Sequence, residues 1–387
     1  MKNIDVRFCI PRPLQVVIDD VGWWDSVDSR ADGNGPSRTA CVRPHAVADY
    51  AALAQLGRES GSRPLIALVL GEWDTRGILR ELPSSTWLGE KWSARSAVAE
   101  KCAAAAEILR GSGDCLELAL HGICHQYWGN GRVPADPEWY GRDEQCTMHP
   151  RAELRRHLEY FARLFIQHQL GAFPTSFVPC NFRYAFGNGE NELAGLLKPW
   201  GIDLISTPWS SMVQRRRPEG EHFGIDAGIP VIDRDGDEIR WFENDCDPGR
   251  CTFDGNTCGL HWPNLLNGDP EMSGENISRW AAALRAVNRR FDRMLARNSA
   301  DHRAQVIYGE LTDAEYTGTE LRLNFRKYFA LFASHQPEGL VVRFGSQRPL
   351  TVGDCHGEPD ADGVVEIRLP RTALGSRELV VLPVKFF

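Results

Sequence analysis

The chain has 387 residues, a formal net charge of -8, and 42% hydrophobic and 25% charged residues, an ordinary balance for a globular protein. That length holds one large domain with a small one, or two of medium size, with ample core either way. The mild acidity excludes a general nucleic-acid binder, which needs a basic surface, and no apolar run is long enough to span a bilayer.

The first residues, MKNIDVRFCIPRPLQ, carry no long apolar stretch and no small-residue cleavage site, so no signal peptide is expected. Eleven cysteines, an odd count without an export signal, point to reduced thiols and a cytoplasmic location. Leu14–Ile18 reads as a buried strand, too continuous for a half-exposed one. A helix is expected over 44–59 with Pro44 in its first turn, then a second buried strand at Leu65–Leu70. Ser93 reads as the N-cap of an alanine-rich helix over 94–110, followed by a strand at Leu116–Leu120. The apolar spacing of Leu154, Leu158, Phe161, Leu164 and Phe165 predicts a helix over 150–170. Strands are expected at Ser176–Val178 and Ile202–Ser206, with a short helix at Glu190–Trp200 between them. Weaker strands follow at Ile229–Asp233, Ile239–Phe242 and Gly259–Trp262, and a last helix at about 277–297.

This alternation implies parallel strands with helices outside, and six or seven strands suit a distorted, incomplete (β/α) barrel over residues 1–300. Past residue 312 the pattern changes. Glu320–Phe325, Leu340–Phe344, Val364–Leu369 and Glu378–Val384 alternate or are β-branched, which predicts a small antiparallel β-domain over 312–387.

The chemistry concentrates at strand ends. Asp19-Asp20 follows the first apolar run, and two adjacent acids on a strand point to different sides, so one can bind a metal while the other moves a proton. His121-x-x-x-His125 follows the third run, at the spacing that puts two imidazoles on one face of a helical turn. Two imidazoles and a carboxylate make a three-ligand open metal site. His261 follows the Gly259-Leu260 stretch and is placed to protonate a leaving group. Tryptophans follow most of the strands, and Trp23, Trp24, Trp128 and Trp262 are candidate faces for a sugar ring. Cys246, Cys251, Cys258 and His261 form a rival set for a structural zinc, at spacings unlike the common paired pattern.

Taken in order, Asp-Asp, His-x-x-x-His, Phe-x-Pro and Leu-His resemble the motifs of the NodB-homology polysaccharide deacetylase superfamily, over roughly residues 10–300. The resemblance implies a distorted (β/α) barrel and a metal-dependent hydrolase that removes acetyl groups from a sugar, most often with zinc. It implies Asp19 as general base, Asp20, His121 and His125 as metal ligands and His261 as general acid. A backbone N–H at Asn181 would hold the oxyanion. Without an export signal, a carbohydrate precursor of a surface polysaccharide is the expected partner. The third motif departs from the family, reading Phe177-Val178-Pro179-Cys180-Asn181 where Phe-Arg-Pro-Pro-Tyr-Gly is common, so the arginine beside the base is missing. Two alternatives stay open. One is a glycoside hydrolase on a related barrel, with Asp245 or Asp247 as a second acid. The other is a carbohydrate-binding protein that has lost its chemistry.

Overall fold

The computed structural model describes residues 6–29 and 35–387. Its chain alternates strands and helices in the order β1 (Arg12–Val21), α1 (Val47–Ser60), β2 (Leu65–Val69), α2 (Ala99–Gly111), β3 (Glu117–Gly122), α3 (Arg151–Gln167), β4 (Ser176–Phe177), α4 (Leu193–Leu197) and β5 (Leu204–Thr207). There follow β6 (Phe223–Asp226), β7 (Ile229–Asp233), β8 (Asp237–Glu238), β9 (Thr257–His261), α5 (Ser273–Val287), β10 (Arg293–Leu295) and α6 (Ser299–Leu311). The ten strands form one sheet in the order β6-β7-β5-β4-β3-β2-β1-β9-β8, with β10 beside the start of β1. All pairs are parallel except β6 with β7. The fold is mixed α/β around a curled, mostly parallel sheet.

Every residue of β1 after Arg12 is buried, and all of β2 is, because both faces of the sheet are covered. Each such Leu, Ile or Val withdrawn from water contributes about 1.5–3 kcal/mol. The curl has a visible means of closure. Val231, Ile232 and Asp233 of β7 pair with Ile205, Ser206 and Thr207 at one end of the sheet. A few residues on, Asp237 and Glu238 of β8 pair with Cys258 and Gly259 at the other end. One stretch of backbone thus borders both ends of the sheet, and Arg234 sits where it crosses.

Helix α3 buries Leu154, Leu158, Phe161, Leu164 and Phe165, the stripe its spacing predicts. Other expectations move. Helix α1 starts at Val47, with the Asp49 side chain accepting from the Ala46 amide at 2.8 Å, so Pro44 lies outside the first turn. Helix α2 starts at Ala99 after a short 3-10 turn, and Ser93 caps nothing. The helix expected to reach 297 stops at Val287, and β10 follows because Arg293–Leu295 pairs with Arg12–Leu14. Residues 239–242 are irregular rather than a strand.

Beyond α6, Asp313–Tyr316, Glu320–Asn324, Leu379–Phe386, Leu350–Val352 and Cys355–Gly357 form a five-stranded antiparallel sheet. Leu340–Gly345 and Val364–Leu369 form another with the two-residue strand Phe8–Cys9. Helix α6 is buried on nearly all sides because it is packed between these strands and the α/β sheet. Gln305 fixes it there, its amide nitrogen donating to the carbonyls of Pro11 (3.0 Å) and Val341 (2.9 Å) and its oxygen accepting from the Val341 amide (2.9 Å).

Candidate metal centre and active site

The apolar run of β1 ends in Asp19 and Asp20, and the strand pairing with β2 is irregular between Ile18 and Val21. The irregularity has a local cause: Asp20 takes a left-handed backbone, φ 63°. The two acids consequently face different partners. Asp19 Oδ2 accepts from Arg234 Nη1 at 2.9 Å, and its buried Oδ1 has no hydrogen-bond partner. Asp20 Oδ1 lies 3.4 Å from His121 Nε2 and 3.4 Å from His125 Nε2. These separations are those of ion pairs, longer than an N–H···O hydrogen bond.

His121 is the penultimate residue of β3 and His125 lies in the loop after it, so no helical turn carries the pair. They converge because His125 is left-handed, φ 62°, which brings the two ring centroids to 5.1 Å. His121 Nδ1 bonds the Val178 carbonyl at 2.7 Å, a contact that orients the ring and leaves Nε2 as its ligand nitrogen. His121 Nε2 and Asp20 Oδ1 are both buried without a hydrogen-bond partner. Ligand atoms around a tetrahedral zinc sit about 3.3 Å apart when its bonds are near 2.0–2.1 Å, so the 3.4 Å separations fit a divalent metal. Burial pushes Asp20 up, but the two imidazoles outweigh it and hold its carboxyl well below the ordinary range. Burial likewise pulls His121 down, and Asp20 outweighs it and raises the ring's pKa. Those are the directions of a site that favours a cation.

Among the described residues, His121, His125 and Cys180 form a buried set able to hold a metal ion, with ligand atoms within 4.8 Å of one another. Cys180 is placed differently from Asp20. Its thiol donates to the His121 carbonyl at 3.3 Å, burial pushes its pKa far up, and it does not line the cavity that Asp20, His121 and His125 share. Cys246, Cys251 and Cys258 join no such set with His261, and all eleven cysteines are unbridged.

A cavity of about 400 Å³ opens over these residues, a volume in the range of small-ligand sites. Asp19, Asp20, His121, His125, Asn181 and His261 all line it. His261 is the β9 neighbour of Asp19 in the sheet, and its Nδ1 lies 3.2 Å from the Ile239 carbonyl, which leaves Nε2 for proton exchange. Asn181 and Phe182 are both left-handed, φ 52° and 54°. Such conformations cost about 1–3 kcal/mol each and gather at functional sites.

Other placements depart from the expectations. Trp23, Trp24 and Trp262 are packed in the core, Trp24 against Tyr50 and Trp73, and Trp262 stacked on His45 at 3.9 Å. Trp128 is half-buried, with its amide on the Ser84 carbonyl. None of the four lines the cavity, whose aromatic wall is Phe182, Trp241 and Phe242. Asp245 pairs with Arg279 at 3.2 Å, Asp247 caps the turn at Gly249, and neither lines the cavity. The additional carboxylate there is Glu238.

Arg234 is the residue that sequence reasoning misses. Its side chain is wholly buried, paired with Asp19 at 2.9 Å and with Glu238 at 2.9 Å, and its guanidinium lies 4.6 Å from the centre of the Phe182 ring. Burial alone lowers its pKa, but the two carboxylates more than reverse that and hold it charged. An arginine therefore does stand beside Asp19, supplied by the crossing between β7 and β8 rather than by the Phe177–Asn181 stretch. In sequence it belongs to Asp-Arg-Asp-Gly-Asp-Glu, a run that resembles any solvated turn.

No helix among the described residues is long and apolar enough to cross a membrane. No family model matches the chain, and no curated protein sequence matches it. Solved structures give distant likenesses. A family 4 carbohydrate esterase from Streptomyces lividans in complex with acetate is 12% identical, with a TM-score of 0.29 over 72% of this chain and 90% of that one. An alpha-L-fucosidase isoenzyme 1 from Paenibacillus thiaminolyticus is 11% identical, with a TM-score of 0.33 over 97% of each chain. Another alpha-L-fucosidase is 10% identical, with a TM-score of 0.29 over 86% of this chain and 76% of that one. Likenesses this distant assign neither a family nor an activity.

Proposed function

We propose that the chain is a metal-dependent hydrolase that removes an acetyl or other acyl group from a carbohydrate, with zinc as the metal. The observation that carries the proposal is the convergence of Asp20 Oδ1 on both imidazole Nε2 atoms, 3.4 Å each, in the cavity that Asp19 and His261 also line. The order of the Asp-Asp, His-x-x-x-His and Leu-His motifs supports the acyl group and the sugar. On this proposal the curled sheet within residues 1–300 is a distorted (β/α) barrel, and 312–387 is a C-terminal β-domain.

Asp20, His121 and His125 would hold the metal, and its bound charge would supply Lewis acidity toward the carbonyl oxygen of the substrate. Asp19 acts as the base. Arg234 occupies one of its oxygens, so the other, Oδ1, is fixed in place to take the proton of the attacking water. The same guanidinium sets a positive charge beside that carboxylate, 2.9 Å away. His261 Nε2 then delivers a proton to the departing amine or alcohol. Asn181, held left-handed at the cavity wall, presents its backbone N–H toward the carbonyl oxygen as charge develops on it. Phe182, Trp241 and Phe242 offer flat apolar faces to a sugar ring.

The test is acetate release from a panel of N- and O-acetylated sugars, before and after chelation and with zinc restored. Release that chelation abolishes and zinc restores is expected. Release of a reducing sugar in its place, or acetate release indifferent to chelation, would contradict the proposal.

A further inference from the structure

Glu138 is fully buried, and it lies not in the cavity but behind the His121–His125 loop. Both of its oxygens accept from the Ile123 amide, at 3.0 and 2.8 Å. Its own amide donates to the His125 carbonyl at 3.2 Å. The next residue continues the grip, with Trp139 Nε1 donating to the His121 carbonyl at 2.8 Å. Three consecutive handles of the ligand loop, at residues 121, 123 and 125, are thus held by two adjacent residues. Gly122 makes the approach possible, since a Cβ there would stand 2.3 Å from Glu138 Oε2.

Glu138 is itself braced. Its Oε1 lies 2.9 Å from His157 Nδ1 on α3, and His157 Nε2 lies 3.1 Å from Ser84 Oγ. Ser84 donates to Glu153 at 2.9 Å, so the serine is engaged as a strut between two segments and does not border the cavity. The left-handed backbone of His125 is a conformation that persists only where surrounding contacts over-determine it. The Glu138 contacts on either side of it are contacts of that kind.

We infer that Glu138 is the positioning residue of the metal centre: it fixes the turn that aims His125, and through Trp139 the strand end that aims His121, at Asp20. The inference rests on the metal site of the proposed function. Groups that orient metal ligands from behind typically change affinity by about 10- to 100-fold when removed.

The experiment is an equilibrium competition titration of the apo-protein with Zn2+, repeated with Co2+ for its visible spectrum, on wild type, Glu138→Ala and Glu138→Gln. Asp226→Asn serves as control. That carboxylate is also buried and also accepts backbone amides, from Gly187 and Gly189, but it touches neither histidine nor the loop between them. Glu138→Ala is expected to bind Zn2+ at least tenfold more weakly with an altered Co2+ spectrum, while Asp226→Asn loses thermal stability and keeps wild-type affinity. In Glu138→Gln the amide NH2 must face either the Ile123 N–H or His157, so a weakening of several-fold is expected there too. A folded Glu138→Ala protein with wild-type affinity and spectrum overturns the inference. Should Glu138→Ala not fold, wild-type affinity in Glu138→Gln overturns it equally. A wild type that binds neither metal removes the metal site itself, and that failure is seen before any variant is measured.

Discussion

The mouth of the α/β sheet and the C-terminal strands are built to opposite standards. Ten non-glycine residues among those described have positive φ; all lie before residue 254, and Asp20, His125, Asn181 and Phe182 line the same cavity. Asp19, Asp20 and His121 there each also hold a buried polar atom without a hydrogen-bond partner. The strands beyond Asp313 show no such conformations and pack Val342, Phe344, Val365 and Ile367 into a fully buried apolar layer. Strain and orphaned polar atoms each cost about 1–3 kcal/mol, so a region that accumulates them needs a rigid scaffold around it. The difference teaches where to look: one region of the molecule is optimised for packing, and the other forgoes packing to hold charges at a point.

That contrast can be broken most forcefully at Asp19. Replacing it by Asn keeps the shape and removes the proton acceptor, so acetate release is expected to fall by about 10³-fold, within the range for a general base, while bound metal is retained. A fully active Asp19→Asn protein would end the assignment. Arg234 is next. Leu in its place strands Asp19 and Glu238 in a buried setting, which is expected to cost about 3–5 kcal/mol in urea unfolding and to lower acetate release, since Asp19 loses the contact that fixes it. Arg234→Lys should recover part of both, because a single charge remains.

His302 tests the seam between the two regions, since α6 packs against both. Burial lowers its pKa to about 4, from 6.5 in an exposed chain. Between those values the unfolded chain binds a proton that the folded protein refuses, so the stabilising contribution is complete above pH 6.5 and is lost as the pH falls toward 4. The loss is about 1.4 kcal/mol per pH unit, or ~2 kcal/mol between pH 7 and 5. Urea unfolding at the two pH values should show this steeper acid sensitivity in wild type than in His302→Gln; parallel behaviour would refute it. The smallest effect is expected at Ile367→Val, about 1 kcal/mol of stability from a lost buried methylene, with metal affinity unchanged.

Much of this was legible in the chain because burial leaves periodic traces. Leu14–Ile18 announced β1, and the acids directly after it line the cavity with His121 and His125. The spacing of His121 and His125 was legible but its geometry was not: a helical turn was the local expectation, whereas a left-handed residue after a strand brings the rings together. Arg234 and Glu238 left no trace, since a charged six-residue run looks the same whether it is solvated or, as here, closes a sheet around a buried guanidinium. The tryptophans misled for a related reason. Their size suits a sugar face or a core equally, and Trp23, Trp24 and Trp262 went to the core, while Ile239–Phe242, which alternates like a strand, became cavity wall.

The most direct measurement is the metal content of the purified protein by mass spectrometry, for wild type, Asp20→Ala and Cys180→Ala, each after saturation with zinc and removal of the excess. One ion per chain, lost in Asp20→Ala and retained in Cys180→Ala, is the expected result, because Asp20 faces the imidazole Nε2 atoms from the shared cavity and the Cys180 thiol is turned to a backbone carbonyl. Metal retained in Asp20→Ala and lost in Cys180→Ala would contradict it and make the centre a closed His–His–Cys site.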